Sequence, residues 1–550
     1  MAMIRLERRR KQVLSLFVLA VFALGVVFGP QAVSFAEPRT PVEIQLLNVS
    51  DWHAQIDPIS VTGLGNVGGA AQIASYWNAD RAANPNTLTL TAGDAFGAAP
   101  PLSSFFDEEP AVRTLNLMGI NVDTFGNHNF DRGVAHLQRM IDLADYQYVS
   151  ANLRNLDANL TGVKRYQIFD LGGVKVAVIG LTNPEAPTLV KPGSLGTIEI
   201  TDPVQAAQKA RSDAKREGAK VFVAITHMGV TGNDPLTGQP VGPLIDLANS
   251  LEGFQVVVGD HTDIQYRGVI NGALVYENRS KGLTYGRAKL SVDPKTGTVL
   301  SSDVEFVTPF SAAVTPDPAI VSMLSPYRAQ LAQVLDGKIA VATGVFPRGG
   351  NIERLGEVAI GNLVADALRV TYGTQLAFTN GGGLRSPLPS SYAPADTTLR
   401  RTSPGYAAGP PYDIVAGDIL AVLPFGNVVV TRTVTGAQLY KILEHSVEFI
   451  PSANGGFGQI SGFKFSYDST KPAGSRVVSV TLDNGAPILA DSTVYTFATN
   501  DFTNAGGDGY TMLADGQGVT RDVMANTVLE YVKSVGTISP TIEGRITKIQ

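Results

Sequence analysis

Along residues 42 to about 315, short apolar runs alternate with segments whose apolar positions recur every three or four residues. The runs cover 43–49, 87–91, 122–125, 174–181, 221–226 and 254–258, lengths that suit buried strands. Residues 204–217 carry a helical pattern, opened by Thr201-Asp202-Pro203 and stopped by Gly218, as capping chemistry predicts. Strands and helices alternating in this way predict a layered α/β domain.

Pro316 and Pro318 interrupt the pattern, and 319–335 reads as a helix, despite Pro326, that can connect two domains. From Lys338 a second pattern starts, with amphipathic helices at 357–370 and 436–449 and strands near 463–467, 477–482 and 494–499. The expected organisation is an α/β domain over 37–315, a linker helix within 316–337 and a smaller α/β domain over 338–550. A chain of 550 residues, 44% of them hydrophobic, suffices for two packed cores.

The first 36 residues have a different character. Arg5, Arg8, Arg9, Arg10 and Lys11 form a basic head, 13–29 carry no charge, and Ser34-Phe35-Ala36 puts small residues where a signal peptidase reads. Glu37-Pro38 follows at once, and no second long apolar run appears. The expectation is a cleaved secretory signal peptide over 1–36 rather than a retained anchor, hence a periplasmic or extracellular protein without stable membrane insertion. Setting aside that segment, with five basic residues and one acidic, takes the net charge from −6 to −10. Such acidity argues against binding nucleic acid polymers over a broad face, but leaves room for a small anion in a local basic pocket. Cysteine is absent, which excludes disulfides and thiolate metal ligands.

The chain has only six histidines, and four follow apolar runs in motifs rich in Asp and Asn. Asp51-Trp52-His53 follows the first run, Gly93-Asp94 the second and Gly126-Asn127-His128-Asn129-Phe130-Asp131 the third. Thr226-His227-Met228-Gly229 and Gly259-Asp260-His261-Thr262-Asp263 follow two more. Functional groups in α/β sheets collect beyond the carboxyl ends of parallel strands, so five such ends predict one shared site. Carboxylate, imidazole and amide donors suit Mn, Fe, Zn, Co or Mg rather than soft metals. Seven candidate ligands exceed what one ion needs. Two divalent ions about 3.5–4 Å apart, bridged by one carboxylate, would use them. His136 and His445 match no motif and read as structural.

These segments, in this order, resemble the calcineurin-like metallophosphoesterases. The resemblance implies a four-layer α/β sandwich. It also implies that Asp51, His53, Asp94 and Asp263 hold one ion and Asp94, Asn127, His227 and His261 the other. His128 would be the catalytic histidine that stabilises charge on the phosphoryl group or leaving oxygen, oriented by Asp131. Three positions depart from the family pattern: Asn129 stands where Glu is usual, Asp260 where Gly is, and Asp263 where His or Gln is. The extra charge predicts a preference for harder ions such as Mn²⁺ or Mg²⁺.

In the second half, Arg354-Leu355-Gly356-Glu357, Asn380-Gly381-Gly382-Gly383-Leu384-Arg385, Leu423-Pro424-Phe425-Gly426-Asn427 and the segment from Asn500 through Phe502 to Asp508 resemble the C-terminal substrate domain of the 5′-nucleotidase family. That resemblance implies phosphate contacts from Arg354, Arg385 and Asn380. It implies a base sandwiched by Phe425 and Phe502, and hydrogen bonds from Asn427 and Asp508 to base or ribose. It further implies a base-binding domain set apart from the metals, closing by rotation about 316–337. The expected activity is 5′-nucleotidase. The same architecture accommodates 2′,3′-cyclic-nucleotide phosphodiesterase/3′-nucleotidase chemistry and nucleotide-sugar or dinucleotide pyrophosphatase chemistry. A reading of another class, motivated by the three departures, is a secreted nucleotide-binding protein with a decayed centre.

Overall fold

Val42–Val49 is buried on both faces from Ile44 onward, because it runs through the interior of a six-stranded sheet. The order in that sheet is Val299–Val307, Tyr285–Val292, Val42–Val49, Thr87–Thr91, Val122–Asp123 and Gln147–Tyr148. The last four are parallel, and the first two join antiparallel. A second six-stranded sheet runs Tyr266–Ile270, Ala273–Glu277, Val256–Val258, Val221–Thr226, Val174–Leu181, Tyr166–Leu171, with parallel pairing among the central four. The computed structural model describes residues 40–61, 63–190 and 193–550, so the expected signal peptide over 1–36 lies outside the described residues. Val42–Gln550 forms one unit.

The two sheets face each other across Leu46, Leu90, Val176, Val223 and Val256. The helices Ala70–Ala83, Glu109–Met118 and Val134–Leu143 cover the outer face of the first sheet through Trp77, Leu115 and Leu137. Pro203–Arg216 and Pro243–Ser250 cover the other through Ala207, Ala210, Ala214 and Leu244. Helix, sheet, sheet, helix is the four-layer sandwich expected. Pro203–Arg216 begins where Asp202 accepts from the backbone N–H of Gln205, so a proline at the first turn is no handicap.

Pro318–Leu335 is capped by Asp317, and it buries Ile320, Leu324, Leu331 and Leu335 in the same cluster as Trp77 and Leu115. It is packed along its length rather than standing as a bare connector. Beyond it, a five-stranded sheet runs Gly458–Ser461, Leu376–Asn380, Val494–Asn500, Val428–Thr435, Val519–Val523. Ala359–Tyr372 and Met524–Val535 cover one face through Leu368 and Val528. Gly436–Ser446 and Phe463–Tyr467 cover the other through Leu439 and Phe463. Among the described residues, no helix is long and apolar enough to cross a membrane.

Candidate active site

Parallel pairing sets the site. Leu47, Asn48 and Val49 lie opposite Thr89, Leu90 and Thr91, so the loops carrying Asp51–His53 and Asp94 leave the sheet side by side. In the second sheet Ile225 lies opposite Val258, bringing the His227 and His261 loops together in the same way. The backbone there is strained. Asp51, His53, Asp94, His261 and Asp263 have φ of 40°, 48°, 45°, 95° and 59°. Non-glycine residues rarely hold such angles unless the surroundings impose them, and such outliers gather at functional sites. Gly126 admits the closest approach: a Cβ there would lie 2.2 Å from Asp94 Oδ1.

One donor atom each from Asp51, His53 and Asp94 fall within 4.8 Å of one another, as do donors from Asp51, His227 and Asp260. His227 Nε2 is 3.0 Å from Asp94 Oδ2 and 3.1 Å from His261 Nδ1. Two donors each about 2.1 Å from one ion, at right angles, sit about 3 Å apart, so this spacing suits a shared ion. His53 Nδ1 donates to the carbonyl of Gly97 at 2.9 Å, which puts the lone pair on Nε2, the nitrogen that could ligate a metal and that Arg385 faces at 3.3 Å. Asn127 Oδ1 is buried without a hydrogen-bond partner, as a ligating amide oxygen would be. Burial, then Arg385, push the His53 imidazole well below its ordinary pKa, and burial, then His227, push His261 down to about 3. Both are therefore neutral, the form that ligates. Burial disfavours charge on His227 too, but Asp94 and Asp260 outweigh it and raise its proton affinity. The residues present fit divalent cations.

His128 and Asp131 come together as expected. A short turn, His128–Phe130, places His128 Nδ1 2.9 Å from Asp131 Oδ2, to which it donates. The His128 backbone N–H donates to Asp94 Oδ1 at 2.8 Å, tying the pair to the Asp/His donor cluster.

The three departures have distinct structural outcomes. Asn129 Oδ1 accepts from the backbone N–H groups of Asp94 (3.2 Å) and Gly126 (2.8 Å), a task that an amide oxygen performs as a carboxylate would. Asp263 is exposed and accepts from Ser280 N–H at 2.9 Å. It stands outside both donor triplets. Asp260 is fully buried and stands within one of them.

The residues expected to bind substrate reach this centre from the second half of the chain. Arg385 Nη2 lies 3.3 Å from His53 Nε2, and its guanidinium carbon is 5.7 Å from the centroid of the Phe425 ring. Phe425 in turn stacks on His128, with centroids 5.3 Å apart and planes at 22°. In this structure Phe425 and Arg385 therefore lie against the donor cluster. The reason is the packing of Phe425 and Arg385 into the loops after the first-sheet strands. Arg354 lies at 3.8 Å from Glu353, beside Arg348, which pairs with the same carboxylate at 3.2 Å. Asn380 Nδ2 donates to Asp508 Oδ2 at 2.8 Å, so these two expected substrate residues bind each other. Asn427 Nδ2 donates to Asp501 at 2.8 Å. Phe502 packs over Gly507, where a Cβ would come within 2.4 Å of the ring.

His136 and His445 serve the framework, bonding the carbonyls of Asp107 (2.9 Å) and Asp508 (2.7 Å). Several groups escaped the sequence reasoning. Lys281 donates to the carbonyl of Arg385 at 3.2 Å and is pushed down to about 7 by burial, then by Arg348 and Arg385. It follows the strand Ala273–Glu277, so the strand-end rule that found the histidines also points to it. Buried Glu277 accepts from Val230 N–H (2.8 Å) and Thr262 N–H (3.1 Å), clamping the His227 loop to the His261 loop.

The C-terminal half, residues 337–515, matches the family model "5′-nucleotidase, C-terminal domain". The 5′-nucleotidase precursor of Thermus thermophilus superposes with a TM-score of 0.79 at 27% identity, covering 92% of this chain and 99% of that one. A snake venom 5′-nucleotidase from Gloydius brevicauda is 27% identical over 575 residues, 95% of this chain and 91% of the venom protein. Endonuclease YhcR of Bacillus subtilis is 29% identical over 537 residues, 92% of this chain, and this chain spans 41% of that protein's length. Fold and site together define a two-part metallophosphoesterase. More narrowly, residues 337–515 carry a 5′-nucleotidase C-terminal domain, and the chain over more than nine-tenths of its length is similar to 5′-nucleotidases.

Proposed function

We propose that the chain is an exported 5′-nucleotidase that uses two divalent metal ions to release phosphate from nucleoside 5′-phosphates. Residues 37–315 form its phosphoesterase domain, 316–337 the linker and 338–550 the substrate domain. The observation that carries this reading is the meeting of Arg385 with His53 and of Phe425 with His128, which joins a phosphate fork and a base platform to the catalytic dyad.

Asp51, His53, Asp94, Asn127, His227 and His261 are the residues proposed to hold the ions; Asp263, expected among them, is exposed and bonded to Ser280 N–H, and is not one of them. Bound ions would polarise the phosphoryl oxygens and supply a nucleophile at neutral pH. Arg385 and Arg354 clamp the phosphate, with the planar fork that suits two of its oxygens. His128, aligned by its bond to Asp131, places Nε2 toward the phosphoryl group and its leaving oxygen, where it stabilises charge and delivers a proton. Phe425 and Phe502 stack on the base, a contact worth roughly 1–3 kcal/mol per base. Asn380, Asn427 and Asp508 complete the lining.

Phosphate release by the purified protein, freed of residues 1–36, tests this. AMP, ATP, 2′,3′-cyclic AMP, UDP-glucose and NAD are each assayed with Mn²⁺ and with EDTA. Release from AMP, abolished by EDTA, is expected. Conversion of 2′,3′-cyclic AMP to a nucleoside monophosphate, or of NAD to AMP and nicotinamide mononucleotide, in preference to AMP hydrolysis and read by chromatography of the products, would redirect the substrate, and no turnover with tight nucleotide binding would point to a binding protein.

A further inference from the structure

His227 and Asp260 meet inside the protein, within a donor triplet completed by Asp51, with Asp260 facing the imidazole nitrogen opposite the one that faces Asp94 and His261. Both are completely buried. His227 Nδ1 and Asp260 Oδ2 lie 3.8 Å apart, and each is a buried polar atom without any hydrogen-bond partner. Two orphans of opposite kind facing one another are costly unless they serve each other. Asp260 cannot turn away freely, because its other oxygen accepts the backbone N–H of His261 at 2.8 Å. His227 cannot retreat either, because Gly93 backs the ring so closely that a Cβ there would lie 2.9 Å from Nδ1. Its opposite nitrogen, Nε2, faces Asp94 and His261.

We infer that Asp260 is a positioning residue for His227: it accepts the Nδ1 proton, fixes that tautomer and thereby directs the Nε2 lone pair into the metal cluster. The separation exceeds a hydrogen bond by roughly 0.8 Å, a gap that a small tilt of the ring closes. A carboxylate behind a ligating imidazole raises its basicity and holds its orientation. A glycine at this position would leave Nδ1 with no side-chain acceptor from this loop. The carboxylate of Asp263, by contrast, accepts from Ser280 N–H at 2.9 Å. This chain keeps a carboxylate beside the cluster, but places it behind a histidine.

The inference rests on the metal-centre reading, and its test separates the two. Metal-stripped wild type, Asp260→Asn and Asp260→Gly are titrated with Mn²⁺ by calorimetry, and the melting temperature of each is taken without metal. Failure of the wild type to bind two ions would defeat the metal-centre reading itself. With two ions bound, both variants are expected to keep that stoichiometry, to lose about 10–100-fold in affinity for one ion, and to melt no lower than wild type when metal-free. Unchanged affinities, or affinity loss explained by a lower metal-free melting temperature, would overturn the positioning role. Loss of one ion from the stoichiometry would also overturn it, by making Asp260 a ligand. A second measurement needs no variant. In the Zn²⁺-loaded wild type with ¹⁵N-labelled histidine, only six side chains report, and His227 is expected with its proton on Nδ1 and its metal on Nε2. A proton on Nε2, or metal on Nδ1, would overturn the proposal even if both variants failed to fold.

Discussion

The Phe425 ring lies over the His128 imidazole, 5.3 Å centroid to centroid and 22° from parallel. A residue from the second half of the chain thus forms one wall of the His128–Asp131 pair. His128 is held on its other sides by Asp131 and by the T-shaped contact with His53, at 5.3 Å and 68°.

That contact separates two aromatic residues that motif reasoning treats as a pair. Phe502→Ala is expected to weaken binding of AMP about 5- to 100-fold, yet to leave hydrolysis of p-nitrophenyl phosphate near wild type. Phe425→Ala is expected to impair both substrates, because it also unseats His128. Steady-state kinetics on the two esters check this, and equal losses for Phe502→Ala on both would remove its stacking role.

Replacing His128 by Ala is expected to lower kcat about 10²–10⁴-fold with metal content unchanged. Elemental analysis beside the kinetics decides. A fall in bound metal would make His128 a ligand rather than the proton-handling group.

Glu108 offers a test of pH-dependent stability. It is buried, accepts from Ser103 Oγ at 2.6 Å, and burial pushes its carboxyl from 4.5 up to about 7. The folded chain therefore holds this proton more tightly than the unfolded chain. Its stabilising contribution is complete below pH 4.5, declines as pH rises to 7 and is absent above. In metal-free protein, Glu108→Gln should remove that decline, a difference on the order of 3 kcal/mol between about pH 4.5 and 7.5. Parallel denaturant melts of the two proteins across that range supply the measurement, and identical pH slopes would refute the assignment.

Ion binding should itself stabilise the fold. Mn²⁺ at a hundredfold excess over its dissociation constant is expected to add about 2.7 kcal/mol, reversed by EDTA. Asp94→Asn, which alters a donor shared by both proposed ions, should abolish most of that gain. Thermal melts with and without metal give the answer. A melting temperature indifferent to Mn²⁺ would speak against a cluster built into the fold.

Much of this was legible in the sequence because strand ends carry local signals. The strands Thr87–Thr91, Val174–Leu181 and Val221–Thr226 begin and end where the apolar runs do. The run 122–125 yields only Val122–Asp123, because Thr124 and Phe125 already turn toward Asn127 and His128. The helix expected over 436–449 stops at Ser446. What the sequence hid depends on separation along the chain. Asp260 read as a mere departure from a motif, since its partner His227 lies far away in sequence. Asn129 looked like a loss until its oxygen was found on two backbone amides. Arg348 and Glu353 carry no motif at all, and gain their place beside Arg354 from the turn that joins them.

The proposed ligands come from both sheets: Asp51, His53, Asp94 and Asn127 follow strands of one, His227 and His261 strands of the other. Elsewhere the two sheets meet through apolar side chains, along a seam without directional bonds. Ions seated at one end would rivet that seam. In a chain without cysteine, the task that secreted proteins commonly give to a covalent bridge would fall to a fastening that forms and dissolves with metal supply, independent of the surrounding redox state.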